Sequence, residues 1–297
     1  MKLKNIKGNI FYIPQTVNIG IINTEKGVIL IDSGLDETIA ARILNTLENS
    51  GFYPTAIINT HSHADHCGGN HYLQKNTGCE VYAPILEAGV IRRPYLEPFY
   101  LFSGAAPINS LVNKYLKAEP SRVDVTFNCK NKELIVNDKI LKVIPLRGHS
   151  PEQIGIGIGD VFFCADSLFA PQVLKKHKIP FHADIKAQLQ TLDLLEGLDY
   201  SYYLPAHGNL MEDITNIIKI NRETIKDILS YIEKLLSTAR STENLLREVF
   251  THYQIKIKDE QMYYLLKTAV MAYISYLYNE DKIKSEFRDN IIHWVAK

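Results

Sequence analysis

Six residues, His61-Ser62-His63-Ala64-Asp65-His66, carry three imidazoles and a carboxylate in a chain with only 10 histidines among 297 residues. Neutral imidazole and carboxylate are the donors that borderline divalent cations such as zinc prefer. The cluster follows an apolar, strand-like run, Ala56-Ile57-Ile58-Asn59-Thr60. A helix would place His61 and His63 on different faces, whereas a loop leaving a strand end can turn all four side chains toward one point. Other candidate ligands share that placement. His149 follows the run Ile140 to Leu146, Asp166 ends Val161 to Ala165, and His207 ends Tyr202 to Ala206. Strand ends on one edge of a sheet form a natural rim for a site. Two divalent ions about 3.5–4 Å apart can share a carboxylate, lower the pKa of a bridging water and divide the electrophile and the leaving group between them. The pattern points to a two-metal hydrolase working through a bridging hydroxide.

The run His61-x-His63-x-Asp65-His66, then Gly148-His149-Ser150, Asp166 and His207, in that order, resembles the metallo-β-lactamase superfamily. An early strand ending Val28-Ile29-Leu30-Ile31-Asp32-Ser33-Gly34 is similar too, as are Gly68 and Gly69 and the loop Ala165 to Phe169. The resemblance covers roughly residues 8 to 210, and five separated motifs agree in type and order. It implies an α+β protein with an αββα sandwich: two facing β-sheets, helices outside, metals at one edge. It also implies that His61, His63 and His149 hold one ion, that Asp65, His66 and His207 hold the second, and that Asp166 bridges them. Asp65 is the candidate for passing a proton from the attacking water to the leaving group.

Metal-bound imidazoles usually donate their other N–H to a neighbouring acceptor. Asp32 is the first candidate for that role, with a turn aspartate before Gly34 as the plainer reading. Thr60 and Ser150 adjoin ligands and are weaker candidates. Two divalent metal ions are the expected cofactors, zinc first, with iron or manganese as alternatives.

With 46% apolar residues in 33.8 kDa, the chain can bury a full core. The formal net charge is zero, so no bulk attraction to nucleic acid or anionic membrane is indicated. The first residues, Met1 to Lys7, hold no apolar stretch long enough for a signal peptide, and no apolar run matches a bilayer's thickness. Cys67, Cys79, Cys129 and Cys164 form no Cys-x-x-Cys pair, which fits a reducing, cytoplasmic setting. Cys67 and Cys164 lie near ligand motifs and read as small buried residues.

Along the chain, helices are expected at Glu37 to Leu47 and Asn70 to Lys75, and a short helical piece at Asn109 to Lys117. Tyr95 to Phe102 is a candidate apolar wall for the substrate or, equally, a satellite hydrophobic cluster. Residues 155 to 164 read as a hairpin turning at Gly159-Asp160. Its glycines precede no Gly-Lys-Ser/Thr and no helix, so they are not a phosphate loop. His71 is expected to face out, and His177 and His182 to lie on the surface or behind the ligands. After residue 212 the pattern becomes helical, dividing the chain into a catalytic domain, 1–212, and a small, mainly helical domain, 213–297. That second part shows helices over 213 to 238, from Ser241 or Thr242, and from Lys258 to Tyr278. A terminal hairpin pairs Ile283 to Glu286 with Ile291 to Trp294. Three helices and a hairpin resemble the winged-helix unit that some superfamily members append. Residues 213–297 hold 13 lysines and arginines against 12 acidic residues. This is no basic stripe for DNA, so packing, homodimer formation or covering of the substrate fits better.

Within the superfamily, nucleases of the β-CASP type carry a large insertion where only 40 residues separate Asp166 from His207. Flavodiiron proteins place glutamate where His63 stands and append a flavin domain. Class B β-lactamases are exported and commonly use cysteine in place of Asp166. What remains resembles the hydroxyacylglutathione-hydrolase-like group with its lactonase and winged-helix relatives. The expected reaction is hydrolysis of a small-molecule thioester or related ester or lactone. The alternatives are a single-strand-specific ribonuclease of the winged-helix type, an iron-dependent persulfide dioxygenase and, last, a non-catalytic scaffold.

Overall fold

The computed structural model describes all 297 residues. Seven strands make the first sheet, paired in chain order: β1 (Lys4–Lys7), β2 (Ile10–Ile13), β3 (Ile19–Thr24), β4 (Gly27–Ile31), β5 (Pro54–Ile58), β6 (Glu80–Pro84) and β7 (Val125–Phe127). β8 (Glu133–Val136), β9 (Lys139–Pro145), β10 (Ile154–Ile158), β11 (Val161–Ala165) and β12 (Tyr202–Pro205) make the second, in reverse order β12-β11-β10-β9-β8. The β10–β11 hairpin turns at Gly159-Asp160 as the sequence leads one to expect.

Strand runs without polar alternation belong to strands covered on both faces. In β4, Val28 and Leu30 point to the helices outside, while Ile29 and Ile31 point to the opposite sheet. β11 does the same with Phe162 and Cys164 outward, and Val161 and Phe163 inward. The sheets meet through Ile22, Ile29, Ile58, Leu141, Ile156, Phe163 and their neighbours. α1 (Glu37–Glu48) covers the first sheet, capped by Asp36 and burying Ala40, Ile43, Leu44 and Leu47, one stripe at helical spacing. α2 (Ala64–Cys67), α3 (Asn70–Thr77), α4 (Ile85–Arg92) and α5 (Leu96–Leu101) follow at the upper edge and flank of that sheet. α6 (Pro171–His177) and α7 (Ile185–Glu196) belong to the side of the second sheet. The expected αββα sandwich is what forms.

The C-terminal part runs α8 (Thr215–Leu235), β13 (Arg240–Ser241), α9 (Thr242–His252), α10 (Glu260–Asn279), β14 (Ile283–Arg288) and β15 (Ile291–Ala296). Ser241 caps α9, accepting the N–H of Asn244, and the three strands pair in the order β13-β15-β14. These helices are not separate from the sandwich. Ile217, Ile225, Ile232, Val270 and Tyr273 share one core with Leu146, Phe162 and Tyr203 of the second sheet. One expectation fails: Asn109 to Lys117 is no helix beyond a single 3-10 turn, Asn109–Leu111. Asn113 breaks it, its amide bonding back to the Ser110 carbonyl and its oxygen taking the N–H of Tyr115. No helix is long and apolar enough to cross a membrane.

The two sheets approach closely where Gly20 of β3 faces Phe163. A Cβ at residue 20 would lie 2.4 Å from the Phe163 ring. Gly20→Ala should therefore cost about 1–3 kcal/mol by overpacking, read as a lower denaturation midpoint with an unchanged denaturant slope.

Candidate metal centre

Every predicted ligand follows the C-terminal end of a strand. β5 leads to His61, His63, Asp65 and His66, β9 to His149, β11 to Asp166, and β12 to His207. β5 runs parallel to β4, and β12 to β11, so these ends open on the same edge of the sandwich. His61 and His63 lie in the loop after β5, and Asp65 and His66 on the short turn of α2. Two backbone positions at this edge are left-handed: Asp32 has φ 64°, and Ala165 before Asp166 has φ 50°. Each costs roughly 1–2 kcal/mol for a residue with a Cβ, a strain usually found where a side chain must be aimed. An extra residue in β11 against β12, between Phe163 and Ala165, turns Asp166 out of the ladder.

The seven side chains fall into three overlapping groups with donor atoms within 4.8 Å of one another: His61, His63 and His149; His61, His66 and Asp166; Asp65, His66 and His207. His63 Nδ1 is 3.1 Å from His61 Nε2 and 2.9 Å from His149 Nε2. Asp166 Oδ2 is 3.4 Å from both His149 Nε2 and His207 Nε2, and its Oδ1 is 3.5 Å from His66 Nε2. Asp65 Oδ2 is 3.5 Å from His207 Nε2.

Neighbours settle which ring nitrogen carries the proton. A carbonyl or carboxylate can only accept, so His149 donates Nδ1–H to the Phe181 carbonyl at 2.9 Å, and His207 to the Thr16 carbonyl at 2.8 Å. His66 donates Nδ1–H to Asp32 Oδ2 at 2.8 Å. Thr60 Oγ1 also donates to Asp32, at 2.8 Å, and so accepts from His61 Nδ1 at 3.1 Å. All four rings therefore aim Nε2 inward. His66 Nε2 and Asp166 Oδ1 are fully buried and make no hydrogen bond, facing each other at 3.5 Å. Orphaned buried acceptors cost free energy unless a cation or proton meets them. This donor set fits divalent cations.

Charge distribution divides the cluster. Burial holds His61 well below its ordinary pKa, and burial with the adjacent His149 ring holds His63 at about 3, so both rings are neutral near pH 7, the form that could ligate a metal. Burial lowers His149 as well. On the other side Asp166 raises His207 to about 10, and burial of His66 is outweighed by the charges of Asp32, Asp166 and Asp65, which raise it. Burial also opposes ionisation of Asp65 and Asp166, but His66 and His207 win and depress both, Asp65 to about 2. Protons on His66 and His207 thus stand where cations would bind, and metal binding must displace them.

Asp32 is the anchor the sequence pointed to, and it also accepts the Thr60 N–H at 2.8 Å. Ser150 holds no ligand; its hydroxyl goes to Glu87. His71 is exposed as expected, and His177 is exposed at the end of α6. His182 is buried behind the ligands, against Phe169, which in turn touches His149. Tyr95, just before α5, and Phe99 and Tyr100 on it are half exposed, while Leu101 and Phe102 join a satellite cluster with Leu111, Leu116 and Tyr264. Two aromatic rings meet the histidine cluster: Phe181, 5.8 Å from the rings of His63 and His149, and Phe169, 5.7 Å from His149.

Sequence reasoning missed several supports. Buried Glu87 takes the N–H groups of Ser62 and Glu152 and the Ser150 hydroxyl, tying the His61–His66 loop to the His149 loop. The signal was there: α4 buries this carboxylate while exposing Ile85 and Leu86, an inverted pattern. Asn221 of α8 clamps the Phe169 backbone through both N–H and carbonyl, steadying the loop after Asp166. The Thr16 and Phe181 carbonyls are main-chain groups and carry no sequence signal.

Residues 12–207 match the model of the Metallo-beta-lactamase superfamily, nearly the span over which the motifs resembled it. The chain belongs to that superfamily, whose members are mainly metal-dependent hydrolases and commonly bind divalent metals. A short stretch of 57 residues is 47% identical to a hydroxyacylglutathione hydrolase of Maricaulis maris, and one of 47 residues is 43% identical to that of Rhodospirillum rubrum. These stretches are 18% and 16% of this chain and span only 22% and 18% of those relatives' lengths. A metallo-beta-lactamase type 2 of Bacillus cereus is 26% identical over 59% of this chain and 72% of its own length. Among solved structures, a metallo-beta-lactamase family protein of Thermus thermophilus superposes with a TM-score of 0.73 at 17% identity, over 97% of this chain and 99% of that one. A beta-lactamase domain protein of Burkholderia ambifaria gives 0.75 at 14%, over 99% and 93%.

Two outcomes follow. Asp32→Asn should leave the fold intact and weaken metal binding about 10–100-fold, measured by competition with a chromophoric chelator. In chelator-treated protein, the raised pKa of His207 means its pairing with Asp166 stabilises fully below about pH 6.5 and is lost as pH rises toward 10. The thermal midpoint of that protein should therefore fall between pH 7 and 10, and the fall should be shallower in His207→Ala.

Proposed function

We propose that the chain is a metal-dependent hydrolase of a small thioester or related ester or lactone. His61, His63 and His149 would hold one ion and Asp65, His66 and His207 a second, with Asp166 serving both; zinc is the first expectation. The observation that carries this reading is the pair of unpartnered buried atoms, His66 Nε2 and Asp166 Oδ1, facing each other inside a ring of inward-aimed nitrogens. When bound, such ions supply Lewis acidity and make a water nucleophilic near neutral pH. The chain's own groups do the rest. Asp32 and the two carbonyls keep the rings in the ligating tautomer. Asp65 is about a third exposed at the mouth of the site, beside His207, so its carboxylate is placed to carry a proton to a leaving group. Phe181 gives the pocket an apolar side against His63 and His149. The short matches to hydroxyacylglutathione hydrolases support the thioester.

A second reading, a single-strand-specific ribonuclease, draws on the C-terminal order helix-strand-helix-helix-hairpin, which is winged-helix-like. The near-neutral charge of residues 213–297 weighs against it, and packing against the sandwich or formation of a homodimer is the role we assign to that unit. Four free, buried cysteines support a reducing, cytoplasmic compartment.

The test is turnover by metal-loaded protein on an S-acyl thioester panel, labelled single-stranded RNA, and a persulfide with oxygen uptake. Thioester cleavage, lost on chelation, is expected. Asp166→Ala should abolish turnover and reduce bound metal, whereas His177→Ala should stay near wild type. RNA cleavage or oxygen uptake without thioester turnover would overturn the thioester assignment.

A further inference from the structure

A cavity of about 560 Å³, lined by none of the seven clustered side chains, opens between the end of α4 and the segment before β7. Its walls are Gly89, Arg92, Arg93, Pro120, Ser121 and Arg122. Three solvent-exposed arginines thus line one cavity in a chain whose net charge is zero. Each guanidinium has five N–H donors and no acceptor, and each is held by one bond to the protein. Arg92 Nη2 donates to the Val123 carbonyl at 2.7 Å, Arg93 Nη1 to the Arg92 carbonyl at 3.0 Å, and Arg122 Nε to Asp124. These bonds orient the groups while leaving most of their donors free. Asp124 offsets one of the three charges.

Two further observations point to a ligand. Ser121 is 8% exposed, and its oxygen accepts from Asn70 Nδ2 at 3.3 Å while its own O–H has no acceptor in the protein. Gly89 stands inside a helix, where glycine costs about 1 kcal/mol relative to alanine. A Cβ there would meet nothing within 4 Å, so the residue borders the open space of the cavity. No aromatic side chain lines the cavity, so it offers no stacking platform for bases. A compact anion suits it better than a nucleic-acid strand.

We propose that this cavity binds a multivalent oxyanion, free phosphate or the phosphate of a small phosphorylated metabolite. Arg92, Arg93 and Arg122 supply charge-assisted donors, and Ser121 O–H supplies a neutral one. Its floor is continuous with the histidine cluster through buried amides. Asn70 pairs with Asn59 at 2.7 Å, and Asn59 Nδ2 donates to the His66 carbonyl at 3.2 Å.

Calorimetric titration of the intact, metal-loaded chain with inorganic phosphate, ribose 5-phosphate and a single-stranded oligonucleotide tests the site. Phosphate or the phosphomonoester should bind with a Kd of about 1 mM or tighter, the tighter of the two identifying the source. Arg92→Gln with Arg93→Gln should weaken that binding about ten-fold or more. Gly89→Leu fills the cavity without removing a charge and suits a helix interior, so it should do the same with thermal stability retained. Asp166→Ala should bind phosphate as wild type does, because the cavity holds no metal ligand. Binding that survives both arginine and glycine variants but disappears in Asp166→Ala would put the anion on the metal centre and overturn the proposal. So would an oligonucleotide that outcompetes both small anions and is lost in the same variants, or no binding by any of the three.

Discussion

Bringing five imidazoles and two carboxylates into one cluster, with four of the rings aiming Nε2 inward, is the constraint on which this molecule is built. Rings that meet lone pair to lone pair repel, and buried acceptors without partners are costly, so the arrangement persists only if something outside the cluster pins each member. Asp32 pins two histidines, His66 directly and His61 through Thr60. The carbonyls of Phe181 and Thr16 pin two more. The His66 carbonyl is itself fixed by the N–H and hydroxyl of Ser33 and by Asn59.

That pinning explains features of the backbone that would otherwise be unfavourable. The turn carrying Asp32 and the short helix α2 press together so closely that a Cβ on Gly68 would lie 1.9 Å from the Leu35 carbonyl, and one on Gly69 2.2 Å from that of Ser33. Only glycine lets these segments meet, and only their meeting brings Asp32 to His66. The left-handed residues Asp32 and Ala165 serve the same end on opposite sheets. Stability from the apolar layer between the sheets and from the layers under the outer helices offsets this local strain.

The C-terminal helices extend the same logic. Their apolar stripes merge with the outer face of the second sheet, and Asn221 reaches from α8 to the loop behind Asp166. Residues beyond 212 therefore help to hold a member of the cluster that lies before them in sequence.

Much of this was legible from the chain alone. Histidine and carboxylate types at the ends of apolar runs, glycines after His66 and an aspartate closing Val28 to Ile31 point to the clustered side chains, to the superfamily and to Asp32 as a candidate anchor. Period-2 and period-3.6 patterns place the strands and most helices, because burial on a regular element imprints its repeat on the sequence. The failure at Asn109 to Lys117 has the same root. Local propensity favours a helix there, but Asn113 offers the backbone competing bonds that no hydrophobic repeat records. What only the tertiary structure decided is which nitrogen each ring presents, which atoms are left without partners, and that Glu87, Asn221 and two main-chain carbonyls hold the rim. Those depend on distances between segments far apart in sequence, and a carbonyl is the same in every residue. Side-chain chemistry is written in the chain, whereas its mutual orientation arises only when the sheets close on each other.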